Sequence, residues 1–246
     1  MISMIQTDKL RKRFGEKTAV NTLDLDIVAG TFFCFLGPNG AGKTTTIKLL
    51  TGLLKPTSGT AVIGGYDIQQ EPVAAKQLLG YIPDTPYLYE KLTGREFMRF
   101  VAGLYQVPEV RAVLRTEELL EMFEIRHVGD QLIEDYSHGM RQKLSFASCF
   151  LHEPKVVVVD EPWVGLDPKN IRFVRDFLRD RTQDGVTIFM STHSLSVIEE
   201  AADRIGIIHN GNLLHTGSLA EIKALSRTPG SLEDVFLELT NAEAAP

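Results

Sequence analysis

The sequence predicts an α/β fold with a mixed, largely parallel sheet, an N-terminal antiparallel β subdomain and a helical insertion. Three observations carry this. The apolar runs Thr31-Phe32-Phe33-Cys34-Phe35-Leu36, Lys155-Val156-Val157-Val158-Val159-Asp160 and Val186-Thr187-Ile188-Phe189-Met190-Ser191 suit strands buried on both faces. Residues 1–30 instead alternate apolar and polar positions, as in Leu23-Asp24-Leu25-Asp26-Ile27, which reads as antiparallel strands. Residues near 85–150 drop the strand pattern for a helical one. The chain is therefore expected to be one domain, with an α/β core over about 1–84 and 155–246 and a helical subdomain over about 85–154.

The elements follow in chain order. The run Lys9-Leu10-Arg11-Lys12-Arg13 is basic and reads as a solvated edge rather than a binding patch. Phe14 stands in the turn Arg13-Phe14-Gly15-Glu16, where an aromatic either packs locally or offers a stacking platform for a nucleotide base. Next comes the apolar strand at 31–36, then Gly37-Pro38-Asn39-Gly40-Ala41-Gly42-Lys43-Thr44, then a helix opening on Thr45-Thr46-Ile47. Strand, glycine loop and helix form the context in which Gly, four residues and Gly-Lys-Ser/Thr bind phosphate as a P-loop. The glycines let backbone N–H groups point inward, and the helix N-terminus presents its positive end to the same phosphates. Lys43 can then reach the β- and γ-phosphates, and the Thr44 hydroxyl can ligate Mg²⁺.

Pro56-Thr57-Ser58-Gly59 is a turn, and Ala61-Val62-Ile63-Gly64-Gly65 a short strand and bend. Residues 72–80 read as a helix, and Gly80-Tyr81-Ile82-Pro83-Asp84 as a strand running into a loop. Thr93-Gly94-Arg95-Glu96 fits a capping box. Phe97, Phe100, Val101, Leu104 and Tyr105 then recur at the spacing of an amphipathic helix. A second helical stretch covers about 109–124, with Leu119, Leu120 and Phe123 on its apolar side. Tyr136-Ser137-His138-Gly139-Met140-Arg141-Gln142-Lys143 precedes a helix through Leu151, and another helix spans about 169–181. Gly206-Ile207-Ile208-His209, Asn210-Gly211 and Asn212-Leu213-Leu214 form a hairpin, because Asn-Gly between apolar runs favours a tight turn. The tail Asn241-Ala242-Glu243-Ala244-Ala245-Pro246 reads as frayed.

Composition narrows the function. The 246 residues are 43% hydrophobic and 24% charged, as in an ordinary globular protein, and the net charge of −6 argues against a nucleic-acid partner. Neither of the two cysteines, Cys34 and Cys149, falls in a metal-binding spacing, and a reducing cytosol is the simplest compartment. No run of about 18 apolar residues and no signal-peptide pattern occurs, so work at a membrane would need a membrane-spanning partner.

A second constellation completes the chemistry. Asp160-Glu161-Pro162 ends the four-valine strand, and ligands of parallel sheets bind beyond the carboxyl ends of the strands. Asp160 is placed to hold Mg²⁺ through water, and Glu161 to orient or deprotonate a water attacking the γ-phosphate. His193, just past a neighbouring strand, falls by the same phosphate. The Ser137 segment lies 23 residues before Asp160, which gives an otherwise ordinary Ser-capped helix its weight.

Taken as an ordered set, these motifs resemble the ATP-binding cassette (ABC) transporter nucleotide-binding subunits, from about Met4 to Leu239. The set is the P-loop, Tyr81-Ile82-Pro83-Asp84, Ser137 to Lys143, Asp160-Glu161-Pro162, Gly165-Leu166-Asp167 and His193. The resemblance implies that Phe14 stacks on the adenine of ATP. It implies that Lys43, Thr44 and Thr45 hold phosphates and Mg²⁺, together with the Gly37–Gly42 loop of Pro38, Asn39, Gly40 and Ala41. Asp160 becomes the acidic Mg²⁺ partner, Glu161 the catalytic carboxylate and His193 the γ-phosphate switch. Ser137 and Gly139 belong to the family signature, which completes the site of a second ATPase subunit, and Asp167 lies in a loop crossing between subunits. The family's usual Leu-Ser-Gly-Gly-Gln is here Tyr136-Ser137-His138-Gly139-Met140, so only the phosphate-facing Ser137 and Gly139 match. Asp84 stands where the family carries a glutamine. Its carboxylate can replace the amide oxygen on Mg²⁺, while adding a charge and losing a donor.

The resemblance implies an ATP hydrolase working as a head-to-tail dimer, with a homodimer as the expected form. It would drive a separate integral-membrane permease from the cytoplasmic face of the cell membrane. The insertion near 85–105 is expected to dock that partner. The His-Gly-Met signature and the ending Gly230 to Leu239 are similar to ABC-2 type exporters, and Ile-Pro-Asp-Thr-Pro to their Ecs-like branch. The alternative is a soluble, non-transport ABC ATPase. Translation types usually carry two cassettes in one chain and repair types a long coiled-coil insertion, and neither is present. A P-loop kinase would leave the signature and Gly165-Leu166-Asp167 without a role.

Overall fold

The computed structural model describes residues 2–163, 166–225 and 231–242. The chain opens with two long paired strands, β1 (Ser3–Phe14) and β2 (Lys17–Val28), and then β3 (Phe32–Leu36) leads through the glycine loop into α1 (Lys43–Leu50). β4 (Ser58–Ile63), β5 (Tyr66–Asp67), α2 (Pro72–Gln77) and β6 (Leu79–Ile82) follow. Three helices then interrupt the β pattern: α3 (Gly94–Leu104), α4 (Glu109–Met122) and α5 (His138–Cys149). The chain returns with β7 (Val156–Asp160), α6 (Pro168–Gln183), β8 (Thr187–Thr192) and α7 (Leu195–Ala201). It ends on the hairpin β9 (Arg204–His209) and β10 (Asn212–Gly217), then α8 (Leu219–Lys223) and α9 (Leu232–Ala242). Gly165 and the tail residues 243–246, both singled out in the sequence, lie outside the described residues.

Two sheets result. A four-stranded antiparallel sheet runs β2-β1-β4-β5, and a six-stranded sheet runs β10-β9-β3-β8-β7-β6, parallel except for its terminal hairpin. The larger sheet is covered on both sides, which is why its strands are continuous apolar runs. Phe33, Phe35, Val156, Val158 and Phe189 face α1 and the smaller sheet, with the Phe33 and Phe189 rings stacked at 5.5 Å. Phe32, Cys34, Val157, Val159 and Met190 face the other way, into the core shared with Leu120, Phe123, Phe146 and Leu178 from the helices. Burial pushes the free thiols of Cys34 and Cys149 well above the ordinary range.

Several expectations need correction. The basic run at 9–13 lies in β1, an inner strand between β2 and β4, not at an edge. Its Lys12 ammonium donates to the Lys55 carbonyl at 2.7 Å and sits 5.1 Å from the Phe14 ring centroid. The helix expected over 72–80 stops at Gln77, because Leu79–Ile82 pairs with β7 from Leu79↔Val156 onward. The apolar stripe of α3 is only half covered. Phe97, Met98 and Ala102 are buried, whereas Phe100 and Leu104 are 40% and 64% exposed. Thr93 and Glu96 do form the reciprocal capping box that starts this helix.

The helical segment is joined to the core at its far end by an unusual ring pair. Tyr105, which caps the C-terminus of α3, stacks on His152 with centroids 3.6 Å apart, and His152 Nε2 lies 3.2 Å from the Leu79 carbonyl oxygen. Burial lowers the His152 pKa from 6.5 to about 4. A histidine held neutral in the folded chain, but free to take a proton unfolded, stabilises fully above about pH 6.5. That contribution is lost as pH falls toward 4. Urea midpoints measured from pH 7.5 to 5 should therefore fall less steeply in His152→Phe than in the parent. Parallel curves would show that His152 protonates equally in both states.

Candidate functional site

The carboxyl ends of β3, β6, β7 and β8 lie at one edge of the larger sheet, and the polar residues gather there. A cleft of about 530 Å³ opens above this edge. Phe14, Pro38, Asn39, Gly40, Gly42, Lys43, Thr44, Thr45, Asp84, Glu161 and His193 line it. The loop that floors it has little room for side chains. A Cβ on Gly37 would lie 2.5 Å from the Ile208 carbonyl oxygen, and Gly42 has φ +112° with the Ala19 carbonyl where its Cβ would stand. Ala41 is buried beneath, 2% exposed, and the Gly42 carbonyl accepts from the Thr46 N–H at 2.8 Å to open α1.

Lys43 is nearly buried. Its Nζ donates to the Gly37 carbonyl at 2.7 Å and the Pro38 carbonyl at 3.3 Å, and lies 3.4 Å from Glu161 Oε1. His193 Nδ1 lies 2.9 Å from the other Glu161 oxygen, Oε2. One carboxylate thus sits between the P-loop lysine and the histidine, although the three come from the starts or ends of α1, β7 and β8. Glu161 itself has φ +42°, a left-handed backbone conformation that costs energy in a non-glycine residue and concentrates at working sites. Its N–H is shared between the Ser191 carbonyl, at 3.3 Å, and Ser191 Oγ, at 3.2 Å.

Asp160 lies below, 1% exposed. Parallel pairing sets it opposite Ser191, whose hydroxyl donates to Asp160 Oδ1 at 2.6 Å. Burial raises the Asp160 pKa, opposed by hydrogen bonds from Ser191 and Thr44, and the nearby charges of Asp84 and Glu161 add to the rise. Its second oxygen, Oδ2, is buried without a partner. Among the described residues no cluster of three or more His, Cys, Asp or Glu could by itself hold a metal ion. Mg²⁺ asks for less, since one or two carboxylates and substrate phosphates suffice. A desolvated carboxylate with an unused oxygen, held by the Ser191 hydroxyl and close to the Thr44 hydroxyl and the charges of Asp84 and Glu161, is a hard-oxygen donor set that fits it.

Three predicted residues are not brought to this cleft. Ser137 caps α5, accepting from the Met140 N–H at 3.3 Å, with Gly139 in the first turn. Asp167 caps α6, accepting from the Asn170 N–H at 2.9 Å, and these bonds hold its carboxyl below the usual range. Sequence reasoning in turn missed Lys17, Ala19 and Ser191. Lys17 and Ala19 also line the cleft, and Lys17 pairs with Phe14 across the β1–β2 turn. The signal for Lys17 was the two-residue turn Gly15-Glu16, which puts it opposite Phe14. Phe14 lines the same cleft, 49% exposed, with the Lys12 ammonium over its ring.

The P-loop, the acidic strand end and the doubly covered parallel sheet define a P-loop nucleotide triphosphatase. The comparisons with known proteins place it more narrowly. The ABC transporter family profile matches residues 20–164. The daunorubicin resistance ATP-binding protein DrrA3 of Streptomyces coeruleorubidus is 36% identical over 233 residues, 95% of this chain and 73% of its own. The bacitracin transport ATP-binding protein BcrA of Bacillus licheniformis is 36% identical over 92% of this chain and 74% of its own. A solved ATP-binding subunit of an ABC transporter superposes with TM-score 0.91 at 32% identity, covering 96% of this chain and 99% of that one. The chain belongs to the ABC transporter family, as an ATP-binding and ATP-hydrolysing subunit. Among the described residues no helix is long and apolar enough to cross a membrane.

Proposed function

We propose that this subunit hydrolyses Mg²⁺-ATP at a site shared between two copies of the chain and so drives a separate membrane permease that exports its cargo. The observation that carries the hydrolytic reading is Glu161 held between Lys43 and His193 at the mouth of the P-loop. Phosphate oxygens would compete for Lys43 and leave Glu161 free to orient and deprotonate a water. His193 would meet the γ-phosphate, Phe14 the adenine, and the Gly37–Gly42 backbone with Thr45 the remaining phosphate oxygens. Thr44, Asp160 and Asp84 would hold Mg²⁺, which when bound neutralises charge on the phosphates.

The case for a dimer is that Ser137 and Gly139 stand exposed or half exposed at the tip of α5, outside their own chain's cleft. A second copy in head-to-tail order would bring that tip to the first copy's phosphates, with Asp167 at the crossing. The test is complementation. Ser137→Arg should abolish turnover in the homodimer while sparing ATP binding. Mixed with Lys43→Ala protein, it should recover activity from one intact composite site. No recovery at any ratio, with both variants folded and exchanging, would contradict the shared site.

Export is supported by the relative named for daunorubicin resistance and work in transport by the one named for bacitracin transport; a place at the cytoplasmic face of the membrane follows from that reading. The expected docking region at 85–105 carries exposed Tyr87, Tyr89, Phe100 and Leu104, with the Tyr89 and Phe100 rings edge to face at 5.2 Å, just beyond Asp84. Arg95 is not part of that surface. It is held by Glu117 at 2.6 Å and Asp130 at 2.7 Å as an internal strut. Tyr89→Asp should weaken co-purification with the permease and leave the ATPase rate of the isolated subunit unchanged. Normal co-purification would move the docking surface elsewhere.

A further inference from the structure

Two buried polar atoms, one on a residue bonded to Pro162 and one on the residue that follows it, have no hydrogen-bond partner among the described residues. Gln142, in the second turn of α5, is 1% exposed, and its Nε2 donates to the Pro162 carbonyl at 3.4 Å. This bond orients the amide, because the flipped form would set two oxygens against each other. The opposite atom, Oε1, is an acceptor with no donor. The residue after Pro162 is Trp163, which packs against the helical core, and its indole Nε1 is a donor with no acceptor. Buried groups of this kind are normally bonded, so an open acceptor on the residue that holds the Pro162 carbonyl and an open donor on the residue after Pro162 call for an explanation. The contact also joins two working parts. Gln142 lies five residues after Ser137 on the same helix, and Trp163 two residues after Glu161.

We propose that Gln142 is a positioning residue for Glu161. When the 161–163 segment shifts to its working position, Gln142 Oε1 accepts the Trp163 indole N–H. Both open valences close in one bond, and the signature helix is fixed to the loop that carries the carboxylate. The bond reports to each chain's own Glu161 whether its Ser137 tip is seated. This rests on Glu161 being the catalytic carboxylate. Its strained φ of +42° makes the segment a natural point of movement, since the strain is relieved by a change of backbone conformation.

The single tryptophan makes the bond directly observable. Protein labelled with ¹⁵N at the indole gives one indole N–H resonance, which moves downfield when the proton gains an acceptor. Adding Mg²⁺ and a non-hydrolysable ATP analogue should move it downfield in the parent and leave it in place in Gln142→Leu, which keeps the bulk and removes the acceptor. In steady-state kinetics Gln142→Leu and Trp163→Phe should each lower kcat about tenfold with KM for ATP nearly unchanged, and the double variant should be no slower than either. Losses that multiply to about a hundredfold, or an indole shift that persists in Gln142→Leu, would overturn the proposal. So would a thermal midpoint that falls in step with kcat, since that marks a packing role. Glu161→Gln run alongside separates the two readings. If it turns over normally, the catalytic assignment has failed. If it is inactive while the kinetic losses multiply, only the positioning role has.

Discussion

Glu161→Gln is expected to reduce ATP turnover by roughly 10²–10⁴-fold, the usual worth of a positioned acid–base group, while ATP still binds. The substitution keeps the shape of the side chain and takes away its ability to accept a proton from water. It also removes the negative charge from between Lys43, 3.4 Å away, and His193, 2.9 Å away. Lys43 is then freer to serve phosphate, so affinity should hold or rise. Single-turnover hydrolysis with titrated ATP separates the two quantities. A rate within a fewfold of the parent would remove Glu161 from the chemistry, and a matching loss of affinity would make it a structural residue.

Lys43→Ala should damage both quantities together. A charge-assisted hydrogen bond contributes about 1.5–3 kcal/mol, equivalent to roughly 10- to 150-fold in affinity, and the lysine is asked to grip the phosphates in the transition state as well. The folded chain also loses an internal tie. Lys43 Nζ holds the carbonyls of Gly37 and Pro38, so the loop loses its brace and Glu161 its nearest cation. Calorimetric titration with ATP and a steady-state rate would both fall. Unchanged binding would mean that the phosphates lie elsewhere.

Much of this arrangement was legible because the relevant signals are local. Four valines ending in Asp160-Glu161, and an apolar strand ending in a glycine loop and Lys43, each state their own burial and their own end of the sheet. Parallel pairing then forces those ends to one edge without further information. The less legible features depend on contacts between distant segments. Ser191 looks like the last residue of an apolar strand, and only its register against Asp160 reveals that it holds both acidic residues. Periodicity reported an apolar arc on α3 but not what covers it, and half of that arc, Phe100 and Leu104, meets solvent. The partner of Arg95 is likewise hidden, because nothing near it in sequence announces Glu117, 22 residues on. Lys17 was hidden by its own ordinariness, a charged residue at the start of a strand, until the hairpin set it beside Phe14.

The depth of the two cysteines has a practical side. A thiol reacts as its thiolate, and burial keeps Cys34 and Cys149 protonated and out of reach at neutral pH. The chain is therefore chemically silent toward maleimides and disulfide exchange as it stands. A cysteine introduced at exposed Asp167 would be the single thiol a reagent sees in the native protein. Cross-linkers of graded length attached there would measure the separation of two copies directly, with no background from the parent to subtract.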